Sequence, residues 1–407
     1  ASGPFLTVAG AIHVVSFEPL SSVPEACMAA ESDKSKTSWP SPVRDWCCTA
    51  SLPTLCRMKS QLHLPRINAL STASPHHTLR QSDVACAGRA LFRDEFRDLE
   101  RLMPVYAHAG IEQRQSCVPL DWFLEDHSFS ERNALYIEHG LSLLADATDT
   151  CLESAGITCD EIDSIVLVST SGLATPSLDA RLMAERPFRR DVERLPVFGL
   201  GCVGGVLGLA RAGAMATARP GSRVLFLCVE LCGLTFRHHD RSKSNFVATA
   251  LFGDGAAAAI VSTEGDGPMI TASGEHTWPD SLDIMGWSVE DDGLGVVFSR
   301  DIPNLVRNEM RQALEHFLRR HDHTLDTIDA FLFHPGGAKV LGALEECLAL
   351  PRDALSHARE TLKSHGNMSA ATVLFVLERA LAMDPPGTRV LSSLGPGFTA
   401  GFLMLEG

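Results

Sequence analysis

The sequence predicts a duplicated α/β fold, two related halves packed about a pseudo-twofold axis, and three observations carry that prediction. First, segments recur at one displacement. Asp160-Glu-Ile-Asp-Ser-Ile-Val-Leu-Val returns as Asp326-Thr-Ile-Asp-Ala-Phe-Leu-Phe-His, and Pro220-Gly-Ser-Arg-Val-Leu returns as Pro386-Gly-Thr-Arg-Val-Leu, both 166 positions later. Second, short runs such as 165–168 and 330–333 are apolar throughout, as in strands covered on both faces. Third, helical spacing separates such runs, as at Leu141, Leu144 and Cys151. Fully apolar strands between helices predict a mainly parallel sheet.

Residues 1–63 stand apart as an N-terminal extension. The stretch 21–53 is rich in Ser, Pro, Thr and charge without periodicity, and Met28 and Met58 are both candidate natural starts, with the upstream residues a tag or a misplaced start. The first half is expected over 64–266, beginning with the strand Arg66-Ile-Asn-Ala-Leu-Ser, then a helix over 135–155 and the strand 165–168. Next, the apolar segment Leu195-Pro-Val-Phe turns through glycines into a helix opening at Cys202. The second half, 267–407, repeats the scheme with the strand 330–333 and a helix opening at Asn367, 165 positions after Cys202. Both helices begin with small residues (Gly204, Gly205, Gly208; Ser369, Ala370, Ala371). Small residues suit two central helices packed closely between sheets, with both N-termini facing one cavity.

Composition narrows the function. The 407 residues are 45% apolar and 21% charged, a globular composition. With 35 Lys+Arg against 50 Asp+Glu, net −15, there is no basic stripe to meet phosphates, so a nucleic-acid partner is not expected. No apolar run reaches the ~18–20 residues of a membrane span, and the N-terminus lacks the cationic start of a signal peptide. The 12 cysteines are scattered without a zinc-type pair, which reads as reduced thiols in a cytoplasmic protein. No Walker loop, GxGxxG or metal-ligand array occurs, so neither a cofactor nor a metal is expected. His238-His239 and His321/His323 lie in polar segments and read as solvated.

Cys202 is the residue on which function turns. A cysteine at a helix N-terminus meets the positive end of the macrodipole and free N–H groups, which favour thiolate, and flanking glycines allow a tight turn that presents the sulfur. The plainer alternative is a buried cysteine packing as a small apolar residue. His334 follows an apolar strand and precedes Pro-Gly-Gly, where α/β sheets build sites. Asn367 serves either as a helix cap or as an amide donor into the cavity. Cys, His and Asn also occur in papain-like hydrolases, but an Asn opening its own central helix is better placed as a donor. Two neutral donors opposite a thiolate suit stabilisation of a thioester oxygen while an enolate forms. The Gly395-Pro396-Gly397 turn, after a terminal strand, is expected to face the same cavity and offer backbone N–H groups.

The motifs Gly199-Leu-Gly-Cys202-Val-Gly-Gly, Ala250-Leu-Phe-Gly-Asp-Gly-Ala-Ala, Phe333-His334-Pro-Gly-Gly and His365-Gly-Asn367-Met-Ser resemble those of type III polyketide synthases, as do Glu230-Leu-Cys-Gly-Leu-Thr235-Phe and Gly395-Pro-Gly-Phe-Thr. This is the chalcone-synthase-like branch of the thiolase fold, and the resemblance runs from about Arg66 to the C-terminus. It implies a five-layer αβαβα architecture, a homodimer, and CoA thioesters as substrates with no cofactor. Cys202 would accept the starter acyl group. His334 would pair with it and, with Asn367, hold the malonyl thioester carbonyl during decarboxylation. Phe252 matches the gatekeeper between CoA tunnel and cavity, while Thr170, Cys232, Thr235, Trp287 and Ser369 match cavity-lining positions.

Three departures stand out. Val296 replaces a second gate phenylalanine, so that gate reads as more open. The basic CoA-phosphate segment of plant members is here Arg101-Leu-Met-Pro-Val-Tyr-Ala-His108, with Lys339 a candidate substitute. Trp287 stands where plant chalcone synthases carry glycine. Gly274-Glu-His-Thr-Trp, Met285-Gly-Trp and Asp291-Asp-Gly-Leu-Gly resemble bacterial enzymes that extend fatty acyl starters. The expectation is therefore a medium- or long-chain starter, delivered by CoA or an acyl carrier protein, extended with malonyl-CoA and released as alkylpyrones. Alkylresorcinol formation by aldol closure is the neighbouring alternative. More distant ones are a single-condensation β-ketoacyl carrier-protein synthase, whose His-Gln-Ala-Asn pattern His334-Pro-Gly-Gly does not share, and a non-catalytic acyl-binding paralogue.

Overall fold

In the computed structural model, residues 63–407 other than 94 are described. The expected extension, with its candidate starts Met28 and Met58, lies outside the described residues except at its last position. Thirteen strands are described: β1 Arg66–Ala73, β2 His77–Arg80, β3 Gln113–Ser116, β4 Ser164–Val168, β5 Glu193–Val197, β6 Val224–Leu231, β7 Asp254–Ser262, β8 Met269–Thr277, β9 Met285–Glu290, β10 Gly293–Phe298, β11 Ala330–Phe333, β12 Thr388–Gly395 and β13 Thr399–Glu406. The helices that matter for the site are α1 Gln81–Phe92, α2 Phe129–Ala155, α3 Gly204–Ala218, α4 Lys243–Leu251 and α5 Thr372–Met383.

The duplication is visible in strand order. Nine strands run β11-β12-β13-β8-β1-β7-β6-β4-β5, and the sheet divides where β8 meets β1 through the pair Arg66 and Met269. On one side the order is β1-β7-β6-β4, and on the other β8-β13-β12-β11, the same succession of neighbours. Orientations match as well: β7 runs antiparallel to β1 and β6, β13 antiparallel to β8 and β12, while β4–β6 and β11–β12 are parallel. The expectation of a mainly parallel sheet is thus corrected to a mixed one. A strand buried on both faces has the same side-chain pattern whichever way its neighbour runs, so burial in β6 and β7, where every residue is buried, carries no directional information.

The central helices lie as the repeat predicts. α3 contacts β4 and β6 of one half and β12 and β13 of the other; α5 contacts β11 and β12 as well as β1 and β7. The small residues permit this. A Cβ on Gly205 would collide with the Ala370 carbonyl oxygen, and one on Gly208 would stand 2.5 Å from Phe226. With Gly201–Val203 ahead of it, α3 is long and apolar enough to cross a membrane, but most of it is buried in this core.

α2 covers the outer face of β1, β6 and β7. It begins at Phe129 rather than near 135, because Ser128 caps it. The Ser128 hydroxyl accepts from Glu131 N, and Glu131 returns the bond to Ser128 N, two free amides satisfied at once. β5 differs from the apolar strand expected at 195–198. It is the sheet edge, and Leu195 and Phe198 are 38% and 56% exposed.

Candidate active site

Cys202, His334 and Asn367 line one cavity of about 630 Å³. Each arrives by a separate element. Cys202 sits in the tight helical turn Gly201–Val203 that leads into α3, entered through Gly201 at φ 51. A Cβ on Gly201 would stand 2.6 Å from Pro396 Cδ, so glycine is needed there for both conformation and space. His334 follows β11 and is anchored by its own N–H, which donates to Ser392 O at 2.8 Å across β11–β12. Asn367 precedes the turn into α5. Its N–H donates to Leu251 O at 2.8 Å and its carbonyl accepts from Gly253 N at 3.0 Å, so the backbone on both sides of Phe252 is tied to Asn367.

Asn367 both caps and donates. Its Oδ1 accepts from Ser369 N at 2.8 Å, as a cap would, which leaves Nδ2 as the donor; its only partner among the described residues is Gly336 O, at a long 3.4 Å. Both ring nitrogens of His334 are shielded from solvent and without a hydrogen-bond partner among the described residues.

Burial acts against charge on both reacting groups. The Cys202 thiol is pushed up to about 11, the hydroxyl of Ser369 partly offsetting the cost of desolvation, and His334 is pushed down to about 3. The pull of the helix N-terminus toward thiolate, worth at most ~2 kcal/mol, is thus opposed by desolvation. Glu230 lies nearby, fully buried. Its Oε2 accepts from Thr170 N and Ser171 N at 3.0 and 2.9 Å, its Oε1 has no partner among the described residues, and burial raises it to about 7.

The remaining expected residues gather around this centre. Thr170 Oγ1 accepts from Gly201 N at 3.2 Å. Phe252, at the end of α4, joins Cys232, Ala248, Trp287, Val296 and Phe298 in one apolar cluster. Its ring centroid is 6.1 Å from Trp287 and 5.7 Å from Phe298. Cys232, Thr235 and Phe252 also line a second, smaller pocket of about 60 Å³ whose far wall includes Leu79 and residues Val84 and Leu91 of α1. Gly395, Pro396 and Gly397 form the β12–β13 hairpin turn, which packs on the Cys202 turn; Ser392, Ser393 and Leu394, just before it, reach the main cavity.

Sequence reasoning missed two features. Phe298 stands beside Phe252 and supplies an aromatic ring next to the position where Val296 replaces one. The signal was available, since 296 and 298 are two apart on β10 and share a face. Arg114 on β3 is 3% exposed and donates to Thr249 O and Phe252 O at 2.8 and 3.0 Å and to Ala250 O at 3.1 Å, fastening the end of α4 that leads into Phe252. Nothing in a Gln-Arg-Gln-Ser tetrapeptide marks it for burial.

Two pseudo-twofold halves with paired central helices meeting at one cavity define the thiolase-type class of acyl-transferring enzymes. The models for the chalcone and stilbene synthases match this chain, the N-terminal domain over residues 124–265 and the C-terminal domain over 270–406. The chain belongs to that family and is a type III polyketide synthase. It is 39% identical over 350 residues to a 1,3,6,8-tetrahydroxynaphthalene synthase of Streptomyces peucetius subsp. caesius, covering 84% of this chain and 92% of the relative. It is 25% identical over 357 residues to an alpha-pyrone synthesis polyketide synthase-like protein of Mycobacterium tuberculosis (strain CDC 1551 / Oshkosh), covering 84% and 90%. The crystal structure of 1,3,6,8-tetrahydroxynaphthalene synthase from Streptomyces coelicolor A3(2) superposes with a TM-score of 0.81 at 26% identity, covering 84% of this chain and 99% of that one.

Proposed function

We propose that the chain loads a medium- or long-chain fatty acyl group on Cys202, extends it by two or three condensations with malonyl-CoA, and releases alkylpyrones. The observation that carries this reading is the single cavity shared by Cys202, His334 and Asn367, together with the separate apolar pocket lined by Cys232 and Phe252. In the loading step the Cys202 sulfur attacks the starter thioester, its proton passes to His334, and the CoA or carrier thiol leaves. The malonyl thioester carbonyl then sits against His334 and Asn367 Nδ2, the two uncommitted polar ends in the cavity. Loss of CO₂ leaves an enolate whose oxygen they stabilise. Its carbon attacks the acyl carbonyl, and the Cys202 thiolate departs.

Delivery by CoA is supported by Arg101, Lys243, Arg300 and Lys339, four exposed cations lining a cavity whose inner end is buried. Exposed cations suit contact with phosphates, and Lys339 is the substitute that the sequence offered for the basic segment of plant members. A fatty starter is supported by the Leu79, Val84 and Leu91 wall, since each buried methylene contributes ~0.8 kcal/mol. Lactonisation is favoured because Trp287, opposite Val296 in the β9–β10 hairpin and packed with Phe252, would restrict the folding that carbon–carbon closure needs. A homodimer, and a cytoplasmic setting that keeps the eight described cysteines free, complete the reading. The 39% identity to a tetrahydroxynaphthalene synthase favours a second reading, in which malonyl units alone supply the chain. Mass spectrometry of products from a panel of acyl-CoA starters with malonyl-CoA separates them. Starter-derived triketide and tetraketide pyrones support the first reading, and a product of malonyl units alone, unchanged across the panel, selects the second.

A further inference from the structure

Two surface turns, one carrying the His238-His239 pair that reads as solvated in the sequence, meet at Asp126 and His239. Asp126 lies between the turn Leu120–Leu124 and α2; His238 and His239 lie between the turn Cys232–Thr235 and α4. One donor atom from each of the three lies within 4.8 Å of the other two. His239 Nε2 is 2.8 Å from Asp126 Oδ2, and the two imidazole centroids are 5.3 Å apart at 80°. Ligands bound at ~2.0–2.1 Å in a tetrahedral set stand ~3.3 Å from one another, so side-chain adjustments of ~1–1.5 Å would close the set.

We propose that Asp126, His238 and His239 form a binding site for a divalent first-row transition ion of the zinc type, with its fourth position open to water. Two imidazoles and a carboxylate suit such an ion and not calcium or magnesium, which take oxygen ligands. The second observation is that His238 Nδ1 is shielded from solvent and without a hydrogen-bond partner among the described residues, so this ring holds unused coordinating capacity.

Both turns are also built to stay in place. Asn245, 1% exposed, donates from Nδ2 to Arg237 O at 2.9 Å and Asp240 O at 2.8 Å, bracketing the two histidines from either side. On the other turn, His127 stacks on Trp122 with centroids 4.1 Å apart and bonds to its carbonyl at 3.1 Å, while Ser128 is fixed by its capping box. Arg237, the nearest cation in sequence, is committed to Asp292 at 2.6 Å and Asp240 at 3.2 Å, which neutralises its repulsion of a bound ion.

The consequence reaches the pocket. Leu120 and Phe123 of one turn, and Phe236 and Asn245 beside the other, line its wall. A bound ion would tie these two walls together and hold the start of α4, whose far end carries Phe252. This inference does not depend on which starter the enzyme takes.

The test uses the full chain without an added histidine tag, titrated with Co²⁺. The expected result is one saturable site per chain with absorption bands of nitrogen and oxygen ligation and no sulfur-to-cobalt charge transfer. Its dissociation constant should rise at least tenfold in His238→Ala, His239→Ala and Asp126→Asn separately, with the far-ultraviolet spectrum of each variant unchanged. Zn²⁺ should raise the thermal midpoint of the wild type and not that of the variants. Absence of saturable binding, a thiolate charge-transfer band that survives all three substitutions, or a zinc-induced shift equal in wild type and variants would each overturn the proposal.

Discussion

Replacing His334 by Gln isolates what the imidazole does for the nucleophile. Burial, with Glu230 adding to it and the Ser369 hydroxyl partly offsetting it, pushes the Cys202 thiol up to about 11, so at pH 7 only ~1 molecule in 10⁴ would carry thiolate, a gap of ~5 kcal/mol. The helix terminus supplies at most ~2 kcal/mol of that. His334 lines the same cavity with both nitrogens uncommitted among the described residues, and a thiolate paired with its imidazolium would supply the rest against the burial that disfavours each charge alone. If it brings the apparent value to about 7, its removal cuts the thiolate fraction by ~10⁴, while the more basic thiolate that remains is ~10² more nucleophilic at a Brønsted slope of ~0.4–0.5. Alkylation of Cys202 at pH 7 should therefore slow by ~10²; because Cys202 keeps partial access to the cavity, this is an upper bound. The assay is the rate of iodoacetamide labelling of the Cys202 peptide against pH, read by mass so that the other cysteines do not contribute. The wild type should level off below the range of an ordinary thiol, while His334→Gln keeps rising into alkali. Superimposable profiles would show that the imidazole plays no part in activating the sulfur.

Three further outcomes follow from the geometry. Glu230 is held at about 7 in the fold against an ordinary 4.5, so the native state binds more proton between those values and stability falls as pH rises through that window. Glu230→Gln should remove this loss, raising stability relative to wild type by up to ~3 kcal/mol above pH 7; a wild-type-minus-variant difference in thermal midpoint that stays flat across the window contradicts it. Gly205→Ala drives a methyl into the Ala370 carbonyl and Val373 between the central helices, and should cost ~1–3 kcal/mol or more in denaturant unfolding; an unchanged midpoint would mean the helices do not touch. Trp287→Gly removes the ring 6.1 Å from Phe252 and should shift products from pyrones toward resorcinols, an idea that an unaltered product ratio defeats.

Much of the site was legible because duplication leaves a mark that survives in sequence. The displacement of 166 positions places Ser164, the first residue of β4, against Ala330, the first of β11, and one of 165 puts Cys202 and Asn367 at equivalent helix starts before any coordinate is known. Glycines at 201 and 205 announce a crowded turn and a close helix pair, since only the absence of a Cβ tolerates Pro396 and Ala370 at those distances. Strand direction was not legible, because full burial erases the alternation from which facing is read. Nor was the edge position of β5, where Leu195 and Phe198 look like core residues and are exposed.

The sequence by itself determined the layered duplicated fold, the family, and the three residues at the centre, because each depends on residue identity at fixed spacing. Only the tertiary structure decided how burial shifts Cys202, His334 and Glu230, the placing of Phe298 beside Phe252, and the fastening of α4 by Arg114. Desolvation and packing are set by atoms distant in the chain, and a string of residues does not record which of them arrive.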